Sequence, residues 1–463
     1  MLMSTQLTIL ILYLILLIGI AWYAKKLSAG GGVQFLFAGR RMSVPLIAVS
    51  IAGIAIGGVS TIGVAENAFT KGIAAGWYDV AWALGAAAMG LFGASRYRKM
   101  ECTTVPELFE RYYDRKSRII AVAGMAIIHI VITALQYVAG GAILSSLLPQ
   151  VFSFEKAMVF SALVFIAMTL LGGLWSASLS NLVSVTIIYV GIIVGTLMIV
   201  AKQGGLHTMA AKLPPGGEWF SPFGGLGGPL VLSWILVFIT QTFTAQAPVQ
   251  VACGARDGKT ARIGFLWGAL LIFPMGFLSA LMGLAARVAY PDIRATLALP
   301  KIVMDIHPIA SGLTLAALWA ADVSTACTLL LGTGTLFAQD IYKRFIHPSI
   351  TERSYLLVNR LIILGVGMMT LWLAFNVAEI LQTIMIGLCL TTALTLIFLF
   401  TVFAPGMCRK SSAFYTTLAG ILVVAAWLLF DQLKIFVHPI YLEWPVCLAV
   451  FLLVGRIDRR RLA

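Results

Sequence analysis

The chain has 463 residues, 60% of them hydrophobic and only 11% charged, with a net charge of +14. Soluble domains carry about a quarter charged residues, so this composition cannot coat a water-facing surface. It excludes a soluble catalytic or nucleotide-binding domain, and a nucleic-acid binder too, because the positive residues follow the loops and form no patch.

The apolar residues come in runs of roughly twenty, the length a helix needs to cross about 30 Å of hydrocarbon. Lipid offers the backbone no hydrogen-bond partner, so such runs are expected to be helices. Thirteen spans are predicted, at 5–24, 44–67, 75–95, 119–148, 157–176, 180–201, 229–252, 262–288, 309–338, 355–376, 379–404, 412–430 and 440–455.

The first span ends in Lys25 and Lys26, while the residues before it are uncharged. That asymmetry places the N-terminus outside and residues 25–43 in the cytoplasm. Thirteen spans then return the C-terminus to the cytoplasm. Of the 32 Lys and Arg in the chain, 24 fall on the cytoplasmic side of this arrangement and 8 on the outer side. The first span lacks the positive n-region of a cleaved signal. The six cysteines show no CxxC spacing, so neither a disulfide framework nor a zinc site is expected.

The second span reads SIAGIAIGGVSTIG from Ser50 to Gly63. Paired Gly57 and Gly58 cost a helix about 2 kcal/mol relative to alanine. They mark either a break that frees backbone groups at mid-membrane or a GxxxG packing face with Gly53. Tyr78 and Asp79 open the third span; Tyr78 either caps a solute or sits in the interfacial aromatic belt, the default for such a position. In the fourth span His129, Thr133 and Gln136 share one helical face and line a pathway or bond across an interface. The outer segment 202–228 is rich in Gly and Pro and is expected to hold a small surface helix.

The seventh span contains Gln241, Thr242, Thr244, Gln246 and Pro248. Pro248 interrupts the hydrogen-bond ladder, which suggests a kinked helix lining a cavity; Gln246 and Gln250 can instead mark a polar helix end. The ninth span gathers Asp322, Ser324, Thr325 and Thr328 within two turns. An ionised Asp in a membrane costs at least about 2.5 kcal/mol, so Asp322 should face a cation, a polar cavity or a partner. A protonated structural Asp is the other reading.

At these residues the chain resembles the sodium/solute symporter family of proline, pantothenate, monocarboxylate, sialic acid and sodium/glucose carriers. The resemblance is carried by FAGRRM at 37–42, the Gly-rich second span with AENAFTKGIAAGWYD after it, TTVPELFERYYDRKSR at 103–118, LGGLWSASLSN at 171–181, CGARDGKTAR at 253–262 and VSTACTLLLGTGTLFAQDIYK at 323–343. It implies an all-α polytopic membrane protein with a LeuT-like five-plus-five inverted-repeat core. The divisions are then 1–43 for the N-terminal helix and link, 44–201 for the first repeat, 202–228 for the outer loop, 229–404 for the second repeat, and 405–463 for two C-terminal helices and a tail.

By motif position the resemblance implies a Na+ site made of the Gly53, Ile56 and Ala321 carbonyls and the Ser324 and Thr325 hydroxyls. It implies solute contacts at Val59, Ser60, Thr61, Tyr78, Gln136 and Gln241. Where some relatives hold a second sodium, this chain has Asn181, Cys327 and Thr328, and the missing charge argues against that site. Asp322 has no counterpart in the pattern and is expected to tune cation affinity or admit protons. Sugar carriers bear acidic and amide residues where Val59 and Ser60 stand, which favours an amino acid, organic acid or vitamin-like solute over a sugar.

The expected function is sodium-coupled import of a small polar solute across the inner membrane by alternating access, as a monomer in the lipid bilayer. A proton-coupled carrier or uniporter on the same fold, titrating Asp322 or His129, and a non-transporting membrane sensor are the alternatives. An enzyme is not expected, since no nucleophile–base pair or metal cluster is visible in the sequence.

Overall fold

A computed structural model describes residues 2–27, 34, 37–100, 104–376 and 380–458; in addition, the side chains of Leu2, Met3, Ser4, Gln6, Ala21, Leu171, Gly172, Gly173, Ala177, Ser324, Glu352, Leu356 and Leu381 are not described. Among the described residues there is no strand, only one isolated bridge between Met42 and Ala255. In chain order the helices are α1 (Leu2–Leu27), α2 (Val44–Ala55), α3 (Val59–Lys71), α4 (Trp77–Ala88), α5 (Ala94–Met100), α6 (Val105–Tyr112), α7 (Arg115–Leu147), α8 (Phe154–Lys202), α9 (Leu206–Lys212) and α10 (Gly228–Thr244). They continue with α11 (Gln246–Gly254), α12 (Gly258–Ile272), α13 (Met275–Ala289), α14 (Ala298–Val303), α15 (Pro308–Thr335), α16 (Glu352–Ala374), α17 (Ile380–Cys389), α18 (Thr391–Phe403), α19 (Ser412–Leu429) and α20 (Ile440–Ile457).

Nine described helices are long and apolar enough to cross a membrane, or up to eleven if each of two bent pairs is one span. The other two expected spans, 75–95 and 157–176, are helical as well, within α4 and α5 and the first half of α8. As one rod, the 49 residues of α8 would reach about 73 Å, more than twice the hydrocarbon thickness. Both of its ends meet the same loop. Arg294 stacks over the Phe154 ring at 4.5 Å, and Lys202 donates to the Asp305 carbonyl at 3.3 Å. Leu174, near its middle, instead lies against Gly254. The segment therefore doubles back and supplies two antiparallel crossings, as its two sequence spans require.

The bent pairs are α2 with α3, at 54°, and α10 with α11, at 50°. At the first, Ile56 leaves the helix (φ −86, ψ 76) and the helix resumes after Gly58. A break at the paired glycines is what the structure contains, so they are more than a packing face. At the second, Ala245 turns to φ −65 and ψ 136. The kink thus precedes Pro248, which sits in the first turn of α11, where a missing N–H costs nothing. The small helix expected within 202–228 is α9.

Several family-like motifs fold into helix starts at one end of the bundle. Thr104 caps α6 by accepting from the Glu107 N–H at 3.1 Å, and Asp257 caps α12 by accepting from the Thr260 N–H at 2.7 Å. Arg118, at the start of α7, bonds Asp340 and Glu110, and Arg344 bonds Glu110 at 2.7 Å. Burial raises the Glu110 pKa, but the hydrogen bonds and charges of Arg344 and Arg118 outweigh it and hold the carboxyl below its ordinary value. This group therefore stabilises the fold above the ordinary glutamate pKa, and its contribution is lost as pH falls through the depressed value.

Candidate cation and solute site

The two breaks converge with α15 and α7 on one buried region. Thr325 on α15 donates its hydroxyl to the Gly53 carbonyl of α2 at 3.1 Å. Ala321 lies one turn earlier on the same face of α15 and is fully buried. The Ile56 backbone turns its carbonyl out of the helix direction at the break. The side chain of Ser324 lies outside the described residues. Thr325 and Gly53 thus meet between α2 and α15, and Ile56 and Ala321 lie about one turn from them on the same two elements.

Asp322 is fully buried and reaches the break itself: its Oδ1 accepts the Gly58 N–H, and its Oδ2 has no hydrogen-bond partner. Helix α3 begins there, so the Asp322 carboxyl sits at a helix start, where unpaired N–H groups are available to it. A Cβ at Gly57 would come within 3.2 Å of the Thr325 hydroxyl, 3.4 Å of Gln136 Oε1 and 3.6 Å of Asp322 Oδ1. The missing side chain leaves a recess ringed by three oxygens.

A cavity of about 30 Å³ lies beside it, lined among others by Val59, Tyr78, Gln136, Gln241 and Thr325. Four of the six expected solute contacts therefore share one wall. Ser60 and Thr61 do not. Ser60 donates to Asp79 at 2.8 Å, and Thr61 donates to the Gly57 carbonyl at 2.9 Å, closing the break locally. Tyr78 is 1% exposed and packs edge-on against Phe238 and Trp234, so it belongs to the cavity wall and not to an interfacial belt. His129 also lines the cavity; its Nδ1 meets the Thr333 hydroxyl at 3.1 Å, while Nε2 lacks a partner. Gln246 faces away and accepts the Val105 N–H at 3.3 Å, near the basic end of the bundle. Asn181, on the second half of α8, presses its amide against Gly53. Thr328 follows Thr325 on the buried side of α15.

Trp82, Ala245 and Ala247 also line this wall and carry no signal in the sequence that marks them. Trp82 stands one turn past Tyr78 in an apolar run, where its residue type alone gives no sign of a cavity. Ala245 and Ala247 have no chemistry to flag them and enter only because the chain bends there. Apart from the cavity wall, a hydroxyl seam joins α10 to α18, where Thr395 donates to the Thr240 carbonyl at 2.6 Å and meets Thr244 at 2.8 Å. Its spacing, Thr391 and Thr395 at i and i+4, was the available signal.

The sequence profile of the sodium:solute symporter family matches residues 35–420. The chain belongs to the sodium:solute symporter family. The symporter is similar to the sodium/proline symporter of Staphylococcus aureus strain JH9, 24% identical over 385 residues that cover 79% of this chain and 74% of that one. Among solved structures it resembles a Na+-coupled sialic acid symporter in a substrate-bound outward-open state (TM-score 0.81, 19% identity, 99% and 98% coverage). It also resembles Mhp1, a nucleobase-cation-symport-1 family transporter, in a closed conformation (TM-score 0.61, 15% identity, 90% and 92% coverage). The symporter is an all-α, multi-pass membrane protein of LeuT-like fold. It couples Na+ to the transport of a small solute.

Proposed function

We propose that this symporter imports a small polar organic solute across the inner membrane by alternating access, with its N-terminus outside and its C-terminus in the cytoplasm, as a monomer and with no enzymatic role. The observation that carries this reading is the meeting of the two broken helices with Thr325 and Asp322 at one buried depth. We assign the Na+ ligands to the Gly53, Ile56 and Ala321 carbonyls and the Ser324 and Thr325 hydroxyls, five neutral oxygens of the kind hard cations take. Val59, Tyr78, Gln136 and Gln241 form the solute wall; Ser60 and Thr61 support it from behind. The placement of the two breaks, each in the first span of a block, supports a five-plus-five division with the repeats at 44–201 and 229–404.

The closed ends support a rocking mechanism. On the side of α3, Glu66 accepts from the Thr296 hydroxyl at 2.6 Å and from the Ile380 N–H at 3.2 Å. At the opposite end the start of α6 ties α11 to the helical stretch Leu336–Ile346 that continues α15, as Val105 N–H donates to Gln246 and the Thr104 hydroxyl donates to Asp340. The cavity between them holds roughly two water molecules, so a solute enters only when one end parts. An inward Na+ gradient supplies about 2.3 kcal/mol per charge per 100 mV, plus its concentration term.

Thr325→Ala tests the ion site. Losing one oxygen that faces a charge is expected to raise the Na+ concentration for half-maximal uptake in proteoliposomes by roughly tenfold or more. Unchanged Na+ dependence in both Thr325→Ala and Ser324→Ala would move the ion elsewhere.

A further inference from the structure

We propose that the group recognised at the helix break is a cationic nitrogen bearing N–H, so that the solute is an organic cation of the amine or guanidine class and not a carboxylate. This rests on the symport reading and narrows its substrate class away from organic acids.

The N-terminal end of a half-helix in a transporter ordinarily meets an anionic group of the substrate. Here the protein fills that position itself. Asp322 Oδ1 takes the Gly58 N–H, and the two glycines leave no other side chain in the way. A solute carboxylate arriving at the same N–H groups would displace Asp322 or lie beside a second negative charge in a water-poor site, which is strongly unfavourable.

Three of the buried vacant valences are acceptors, and one of them belongs to an acidic side chain. Asp322 Oδ2, Gln136 Oε1 and Gln241 Oε1 have no hydrogen-bond partner, and their residues are 0%, 2% and 5% exposed. Buried acceptors left unpaired call for donors. An ammonium brings three N–H donors and no acceptor, and a guanidinium five. The recess in front of Gly57 points such a group at Gln136 and Asp322, beside the Thr325 hydroxyl assigned to Na+. Tyr78 and Trp82 are among the residues lining the cavity, and no Lys or Arg is; aromatic rings attract cations.

The test uses purified full-length symporter in detergent and a panel of small solutes matched in size but not in charge. Pyrrolidine, prolinamide and agmatine represent the cations, proline and cyclopentanecarboxylate the carboxylates, and cyclopentanol the neutral class, within a wider set of each. Melting temperature is read with and without Na+. Stabilisation in Na+ is expected from members of the cationic class alone. Asp322→Asn should weaken the best cation by roughly 100-fold while Na+ by itself still raises the melting temperature; Asp322→Glu should keep the cation preference. Hits confined to carboxylates or neutral solutes, the absence of any cationic hit, or equal cation affinity in Asp322→Asn would overturn the proposal. A wild-type protein that does not respond to Na+ at all would instead sink the symport reading beneath it.

Discussion

Gly58→Ala is expected to abolish sodium-driven uptake. A Cβ at this position would run into the Cβ of Ala139 and stand 2.7 Å and 3.0 Å from the two oxygens of Asp322. Ala139 is fully buried in α7 and has no rotamer by which to yield. Overpacking of this kind costs about 1–3 kcal/mol, and here it falls on the hinge residue and the carboxylate that caps the second half-helix. Initial uptake rates in proteoliposomes should drop by roughly 100-fold, with a lowered melting temperature. Adding Ala139→Gly should recover a measurable part of both. Gly124→Ala is the control, since a Cβ there meets nothing within 4 Å and should leave transport intact. Full activity in Gly58→Ala would mean that the break does not need close approach of α7 and α15.

Arg118→Ala is expected to be the most destabilising single change outside the core site. Arg118 is 6% exposed and Asp340 fully buried; they are joined by an Nε–Oδ1 bond of 2.7 Å and a second, shorter contact. Removing one partner of a buried pair costs about 3–5 kcal/mol, because the other charge is stranded. Asp340 would keep only the Thr104 hydroxyl, at 3.0 Å. Neutralising it as well, in Arg118→Ala with Asp340→Asn, should regain much of the loss. Thermal melts of the four proteins form the cycle; a double variant no more stable than Arg118→Ala would show that Asp340 is not the stranded charge.

The crossings were legible because their signal is composition over some twenty residues, which side-chain detail does not disturb. The break at Gly57 and Gly58 was legible as one of two options, since paired glycines suit a gap and a packing face equally, and only backbone angles separate them. The bend in the seventh span was read one turn late. Pro248 drew attention as a helix breaker, yet a proline in a first turn marks a start, and the alanine that bends has no signature. Tyr78 stays open in the sequence between a solute contact and the interfacial belt, because sequence gives no depth; the rings of Phe238 and Trp234 that cover it come from another part of the chain. Ser60 looked like a solute ligand until Asp79, nineteen residues on, claimed its hydroxyl. Local pattern can name polar residues within a span, but which of them spend their hydrogen bonds on one another depends on contacts across helices.

The seam between α2 and the second half of α8 has its own consequence. Ser50 and Ser178 join hydroxyls at 2.9 Å, Asn181 covers Gly53, and Tyr13 reaches Ser184 at 3.0 Å from the far side. Interlocked branched side chains can slide only by vacating a well-fitted socket, and the dense interior resists that. Short polar groups on small residues can instead trade one partner for the next, each step costing little more than a hydrogen bond. Under the proposed rocking mechanism, the boundary along which the first half of the broken helix travels is therefore suited to slippage.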